Sequence, residues 1–334
     1  MYDCLAIGAA TRDVFLTSKD FQAKRSGNGR RESNLVLPLG AKLSVENIIF
    51  ETGGGATNAA VTFARQGLRT ACITRIGDDP GGRAVVGSLR SEGVDTSLVV
   101  HDRENYTGYS IIVVATNGER TILVYRGASA HFPHSFLPKN KLNTKWLFIS
   151  SLGGNIELLK KLVDWAEKNE AKIALVPGSQ ELAKGAKQLS SIFSKADCLI
   201  MNREEAASLI GISAADREKI SKKLCLLVNG IGVITDGLSG ATACDRGYFY
   251  HVNTHDNKAV ERTGAGDAFA SGFVAGLIKY GDVEGALELA TDNGSSVVNY
   301  FGAKKGILKR GQKPFKDKLK VTKVAVKKKV RVHI

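Results

Sequence analysis

Nowhere in the 334 residues does the chain run apolar for the roughly 18 positions that a membrane-spanning helix requires. The start, Met1 to Ala10, also lacks the basic opening and small-residue cleavage site of a signal peptide. Both absences set the expectation of a soluble, cytoplasmic protein with no membrane partner. Cysteine is sparse and scattered. Cys4, Cys72, Cys198, Cys225 and Cys244 form no C-x-x-C pair, are odd in number, and sit mostly in apolar strand-like runs, so buried free thiols are expected. Metal-ligand clusters are missing too. His131 lies near His134 and His251 near His255, but neither pair has the further Cys, His or carboxylate that would complete a site, and both read as surface or core histidines. Residues 1–303 show no internal repeat and no low-complexity segment.

The sequence does contain enough apolar residue, 43% against 24% charged, to bury a large core. Its formal charge of +14 raises the question of nucleic acid, and the distribution of charge answers it. Residues 304–334 hold 13 Lys or Arg and one acid, Asp317, while the rest carries 34 basic and 32 acidic residues. The nearly neutral body suits a small-molecule enzyme better than a duplex-binding domain. The extension reads as disordered or loosely docked, with a weak polyanion contact as its sharper role. The alternation Val324, Val326, Val330, Val332, Ile334 leaves room for an added strand instead.

Along residues 1–303 strands and helices alternate. Apolar runs at 2–8, 70–76, 145–150, 171–176 and 197–201 are followed by helical patterns after Gly53–Gly55 and over 81–91, 155–168, 181–193 and 203–210. Such alternation predicts a mainly parallel sheet wrapped by helices. Two stretches break the rhythm, 14–51 and 97–127, the second carrying a hairpin around Asn117-Gly118. They predict a small β lid. Lys24 to Arg31 is basic and Gly-rich and reads as a solvated loop. A hairpin over 231–252 and helices over 264–279 and 283–300 complete the pattern.

The strongest chemical signal is Thr263-Gly264-Ala265-Gly266-Asp267, which opens an apolar helix. Glycine in a first turn costs roughly 1 kcal/mol against Ala. That cost makes sense where a ligand must reach bare N–H groups at the positive end of a helix. A carboxylate there stands beside a bound phosphate and can take a proton from an attacking hydroxyl. The bland alternative is an Asp favoured by the dipole. Upstream, Gly53-Gly54-Gly55-Ala56-Thr57-Asn58 gives a tight turn followed by one polar Asn on an apolar helix, with Gly67, Gly77, Asp78 and Asp79 beyond. An Asn buried there without a role would be costly.

Both segments resemble the two signature sequences of the PfkB, or ribokinase-like, carbohydrate kinases, in the right order and separation over about residues 2–303. The second departs at its start, where Glu261 and Arg262 replace the usual Asp and a small or hydroxyl residue. The resemblance implies a three-layer α/β/α fold with a mainly parallel central sheet and a β lid over the sugar. It implies ATP and Mg²⁺, Asp267 as base, and an anion hole from the amides of Gly264, Ala265 and Gly266. It assigns Asp13, Gly54 and Asn58 to the sugar, Asn202 and Glu205 to Mg²⁺ and phosphate through water, Thr235 and Gly237 to the nucleotide, and Asn293 to the vicinity of adenine. For Asn202 and Glu205 a helix cap and a solvated face is the bland alternative. Arg126, after Tyr125, resembles an Arg that reaches the sugar carboxylate in 2-keto-3-deoxygluconate kinases; a lid ion pair or solvent is its alternative. Monovalent-cation dependence stays open, and Glu261 with Arg262 leads us to expect weak potassium activation. A nucleoside or acidic-sugar kinase is the competing enzyme reading, and a sugar-binding or regulatory protein tethered to RNA the competing non-enzyme one. A homodimer stays open as well.

Overall fold

Cys4–Ile7 shows why the molecule is layered: all four residues are buried, and their side chains alternate between two cores. Leu5 and Ile7 pack in one hydrophobic cluster with Leu147 and Ile149, while Cys4 and Ala6 pack in the other with Phe148 and Cys198. A strand buried on both faces needs helices on both faces. The computed structural model describes residues 1–25, 33–133, 142–256 and 259–326.

The central sheet has nine strands. Six run parallel, in the order Thr70–Ile73, Cys4–Ile7, Trp146–Ile149, Lys172–Leu175, Cys198–Asn202, Ile231–Thr235. Ala241–Cys244, Tyr248–Val252 and Thr322–Ala325 extend it antiparallel. Helices Gly55–Arg65, Ala265–Tyr280 and Val283–Val297 cover one face, and Ile156–Lys168, Ala186–Phe193, Arg203–Ile210 and Arg217–Leu227 the other. This is the three-layer α/β/α arrangement the sequence predicts.

The two stretches expected to form a lid contribute a separate four-stranded sheet, ordered Arg120–Tyr125, Gly108–Val114, Thr11–Thr17, Asn47–Gly53. It is anchored where the chain leaves the central sheet. Phe15 is fully buried and meets Phe301 edge-on, with ring centroids 5.8 Å apart.

Several local expectations need correction. The helix expected over 181–193 is two pieces, Ser179–Leu182 and Ala186–Phe193, because Gly185 takes a left-handed φ of 82° between them. The apolar run 70–76 splits, and Arg75–Gly77 pairs with Val100–Asp102 outside the main sheet. Helix Arg217–Leu227 has no strong apolar stripe, burying Ile220 and Leu224, and its charged sequence hid it. Most of the basic loop 24–31 lies outside the described residues, as does His134. Cys4, Cys72 and Cys198 are the expected buried free thiols, but Cys225 and Cys244 are joined as a disulfide. Their Cα atoms lie 6.0 Å apart because helix Arg217–Leu227 packs on strands Ile231–Thr235 and Ala241–Cys244.

The largest correction concerns the basic extension, which does not float free. Lys304, Ile307 and Leu308 are buried between two helices. Arg65 donates to the carbonyls of Lys304 (2.8 Å) and Ile307 (2.7 Å), Gln66 to that of Leu308 (2.8 Å), and the Leu308 amide donates to Asn293 Oδ1 (2.8 Å). Farther on, Thr322–Ala325 takes the outer edge of the central sheet. Net charge hid this because most of the cations point outward while the intervening apolar residues and backbone carbonyls carry the docking. Val330, Val332 and Ile334 lie outside the described residues.

Candidate active site

Asp267 is the third residue of helix Ala265–Tyr280, whose N-cap, Gly264, holds a left-handed φ of 81°. A Cβ on Gly264 would overlap Ala303, so only glycine lets the turn close against that segment. Gly266 differs: a Cβ there would meet no protein atom within 4 Å, because the residue opens onto two adjoining cavities. Of the three amides expected to form an anion hole, that of Ala265 donates to Arg262 O at 3.3 Å. The amides of Gly264 and Gly266 have no partner among the described residues, and only Gly266 stands at the open face.

One cavity is lined by Gly55, Ser150, Asn202, Glu205, Gly266 and Asp267. The other shares Thr235 and Gly266 with it and runs outward past Gly237, Leu238 and His255. The elongated space thus places Asp267 at one end and a largely apolar slot at the other, with the helix N-terminus at the junction.

Asn202 and Glu205 form a capping box: Asn202 Oδ1 accepts from the Glu205 amide at 2.8 Å, and Glu205 Oε2 accepts from the Asn202 amide at 2.9 Å. The bland alternative of a helix cap is therefore real, yet the pair also faces the cavity. Burial, reinforced by Glu204 and Asp267, raises the Glu205 pKa. Its Oε1 has no partner among the described residues. A free carboxylate oxygen facing the cavity fits a hard, hydrated divalent cation better than a softer metal.

Asp13 is buried on the lid strand Thr11–Thr17; its carboxylate accepts from Thr11 Oγ1 at 2.9 Å, and burial raises its pKa. It lies over Gly53, where any Cβ would overlap it. Gly54, at φ 97°, lies against the Ala9 carbonyl, so a Cβ is excluded there as well. Asn58 is 2% exposed, and both ends of its amide are engaged: Nδ2 donates to Asp267 Oδ2 at 2.8 Å, and Oδ1 accepts from Lys304 Nζ at 2.8 Å. Its observed partners are a carboxylate and an ammonium rather than an open binding surface. Burial is the main cause of the raised pKa of Asp267, opposed by Asn58 and Lys304 and assisted by Asp13.

Two expected site residues are not part of the lining of either cavity. Asn293 does not line the outer, largely apolar cavity, which takes Thr291, Gly294 and Ser295 from the same helix. It points instead into the helix packing, donating to Ala268 O at 2.7 Å and accepting from Leu308 N. At about 100° per residue, position 293 cannot share the face of 291, 294 and 295. Arg126 sits at the end of lid strand Arg120–Tyr125, exposed and without a polar side-chain partner among the described residues.

Sequence reasoning missed Lys304 altogether, since it was grouped with the basic extension. It also missed His255, which stacks on Phe315 at 3.7 Å between centroids and pairs with Asp292 through Nε2 at 2.7 Å. The apolar Ile307-Leu308 after Lys304 was the available signal that this segment docks.

This architecture recurs in solved structures. The ribokinase of Cryptococcus neoformans in complex with ADP superposes with a TM-score of 0.74 at 22% identity, covering 92% of this chain and 97% of that one. The nucleoside kinase of Burkholderia thailandensis in complex with inosine does so with a TM-score of 0.74 at 18% identity, covering 92% and 95%. These define the fold as that of the ribokinase-type kinases. The profile described as "pfkB family carbohydrate kinase" matches residues 5–310, and the chain belongs to that family. Among curated relatives, the 5-dehydro-2-deoxygluconokinase of Bacillus velezensis is 27% identical over 78% of this chain and 83% of its own. The ribokinase of Haemophilus influenzae is 26% identical over 80% and 88%.

Proposed function

We propose that this protein transfers the γ-phosphoryl group of ATP to a hydroxyl of a small carbohydrate, with Asp267 as general base. The observation that carries the reading is the placement of Asp267 at an open helix N-terminus, in a cavity continuous with a largely apolar slot. The base must be ionised yet ready to accept a proton, and burial raises its pKa toward that condition. Asn58 holds one carboxylate oxygen, leaving Oδ1 toward Gly55 and the cavity for the acceptor hydroxyl. The Gly266 amide and the helix dipole favour negative charge on the transferring group. Thr235 and Gly237 would border the nucleotide, with Phe269 and Leu238 supplying apolar surface for its base. Asn202 and Glu205 would hold Mg²⁺ through water, and the ion would neutralise phosphate charge when bound. Asp13, on the lid, would receive sugar hydroxyls, and lid closure would exclude water as a competing acceptor.

A sugar acid is the second reading, favoured by the exposed Arg126 guanidinium at the lid edge, which has no polar side-chain partner among the described residues, and by the 5-dehydro-2-deoxygluconokinases among the relatives. An Arg binds a carboxylate bidentately. A coupled ADP-release assay across ribose, fructose, nucleosides, 2-keto-3-deoxygluconate and 5-dehydro-2-deoxygluconate tests both readings. With a sugar acid, Arg126→Ala should raise KM by about two orders of magnitude and leave a neutral analogue nearly unaffected. Equal loss on both leaves Arg126 a lid residue and returns the preference to neutral sugars or nucleosides.

A further inference from the structure

Lys304 is 6% exposed and lies in the cluster that contains Asp13, Glu51 and Asp267. Its Nζ donates to Thr52 O at 2.6 Å, Thr57 Oγ1 at 2.8 Å and Asn58 Oδ1 at 2.8 Å. An ammonium has three hydrogens. All three are engaged within the protein, so Lys304 is not arranged to grip a substrate carboxylate or phosphate. Its charge reaches Asp267 through space, and its orienting effect must travel through what it touches.

Asn58 is the informative contact. An amide can be flipped end for end without changing its shape, and only its partners decide which end is which. Here they decide without ambiguity: an ammonium cannot accept and a carboxylate cannot donate, so the amide oxygen faces Lys304 and the nitrogen faces Asp267. Thr57 and Thr52 hold the ammonium from the other sides, and Arg65 Nη1 pins the Lys304 backbone by donating to its carbonyl at 2.8 Å. Remove the cation and the amide oxygen loses the partner that anchors it, so the nitrogen is held on Asp267 by the carboxylate alone.

We propose that Lys304 is a positioning residue for phosphoryl transfer: its ammonium locks the Asn58 amide so that the nitrogen is held on the Asp267 carboxylate and the second carboxylate oxygen is presented to the acceptor hydroxyl. This rests on the assignment of Asp267 as base. The surrounding charges agree with it. Burial drives the Lys304 pKa down to about 8, opposed by Asp13, Cys72, Asp267 and Glu51 around it. Lys304 in turn lowers that of Asp267, against Asp13, while Glu205 faces the same cavity and Glu261 faces Asp13.

The test pairs Lys304→Met with Asn58→Asp. The second variant keeps an acceptor for Lys304, and hence the contact that supports the fold, but turns an acceptor toward Asp267. A carboxyl-carbon NMR titration of Asp267 reads the arrangement without any substrate: both variants should move its titration to higher pH. On whichever substrate the wild type turns over, both should lower kcat by about 10- to 100-fold and carry the acid limb of kcat upward, with KM for ATP changed little. Lys304→Met in an Asn58→Leu background should lower kcat far less than Lys304→Met does alone. An unmoved Asp267 titration in folded Lys304→Met or in Asn58→Asp overturns the proposal, as does a full additive loss in the double variant. A moved titration in a protein that phosphorylates no carbohydrate or nucleoside upholds the positioning and rejects the proposed function instead.

Discussion

Asn58 and Asp267 stand 209 positions apart in the chain and meet side chain to side chain at 2.8 Å. Each starts from a glycine-rich turn at the head of a helix, and the two helices pack directly on each other. Burial raises the pKa of Asp267 beyond what this hydrogen bond and Lys304 lower it. The base form is therefore lost, as pH falls, at a pH above the ordinary aspartate value of about 3.9. The pH profile of kcat should show its acid limb there; a rate that stays flat down to pH about 4 would contradict the assignment.

Gly264 and Gly266, two residues apart, should respond differently to the same methyl group. Gly264→Ala forces a left-handed φ on alanine, costing about 1–2 kcal/mol, and overlaps Ala303 besides. Its melting temperature should drop by several degrees. Gly266→Ala places the methyl in the open cavity, where the fold tolerates it and a phosphate would not. Thermal melts and ADP release on the same two proteins separate the effects: normal stability with activity down about 10²-fold or more is expected for Gly266→Ala.

Truncation tests the docked extension. Ending the chain after Gly302 removes Lys304 and the buried Ile307 and Leu308. The two apolar side chains alone account for roughly 3–6 kcal/mol of burial, against a net stability of about 5–15 kcal/mol for a typical domain. That shortened protein should be insoluble or unfolded by circular dichroism. Among the described residues, a chain ending at Lys320 loses the edge strand with its four exposed residues and the half-buried Val321, and it should remain folded.

The layers were legible because the parallel strands are apolar on both faces and the helices between them carry 3.6-residue patterning; the site was legible in its glycines, at Gly53, Gly54 and Gly264 where neighbouring atoms leave no room for a Cβ, and at Gly266 where the cavity stays open. What stayed hidden has a common physical cause. Lys304 occupies a buried position that its cationic neighbours in the sequence disguise, and Asn293 was placed by its helix rather than by the face of the helix it occupies. Helix Arg217–Leu227 and the pairing of Cys225 with Cys244 depend on tertiary packing that no local pattern encodes.

Glu261 bears on monovalent cations. Its carboxylate is buried and accepts from the Thr263 amide at 2.8 Å and hydroxyl at 2.6 Å, with Arg120 of the lid at 3.2 Å. A guanidinium already neutralises it. Potassium should therefore activate the enzyme only weakly over sodium at fixed ionic strength, and strong selective activation would show that Arg120 yields its place.

The central claim is that Asp267 takes the proton from a carbohydrate hydroxyl as phosphate is transferred. Asp267→Asn preserves shape and the partner Asn58 while removing the base. ADP release on the turned-over substrate, followed with wild-type and Asp267→Asn protein at matched saturation, measures this directly. The expected result is a fall in kcat of about 10²- to 10⁴-fold with ATP and sugar affinity largely retained; near-normal turnover by Asp267→Asn would contradict it.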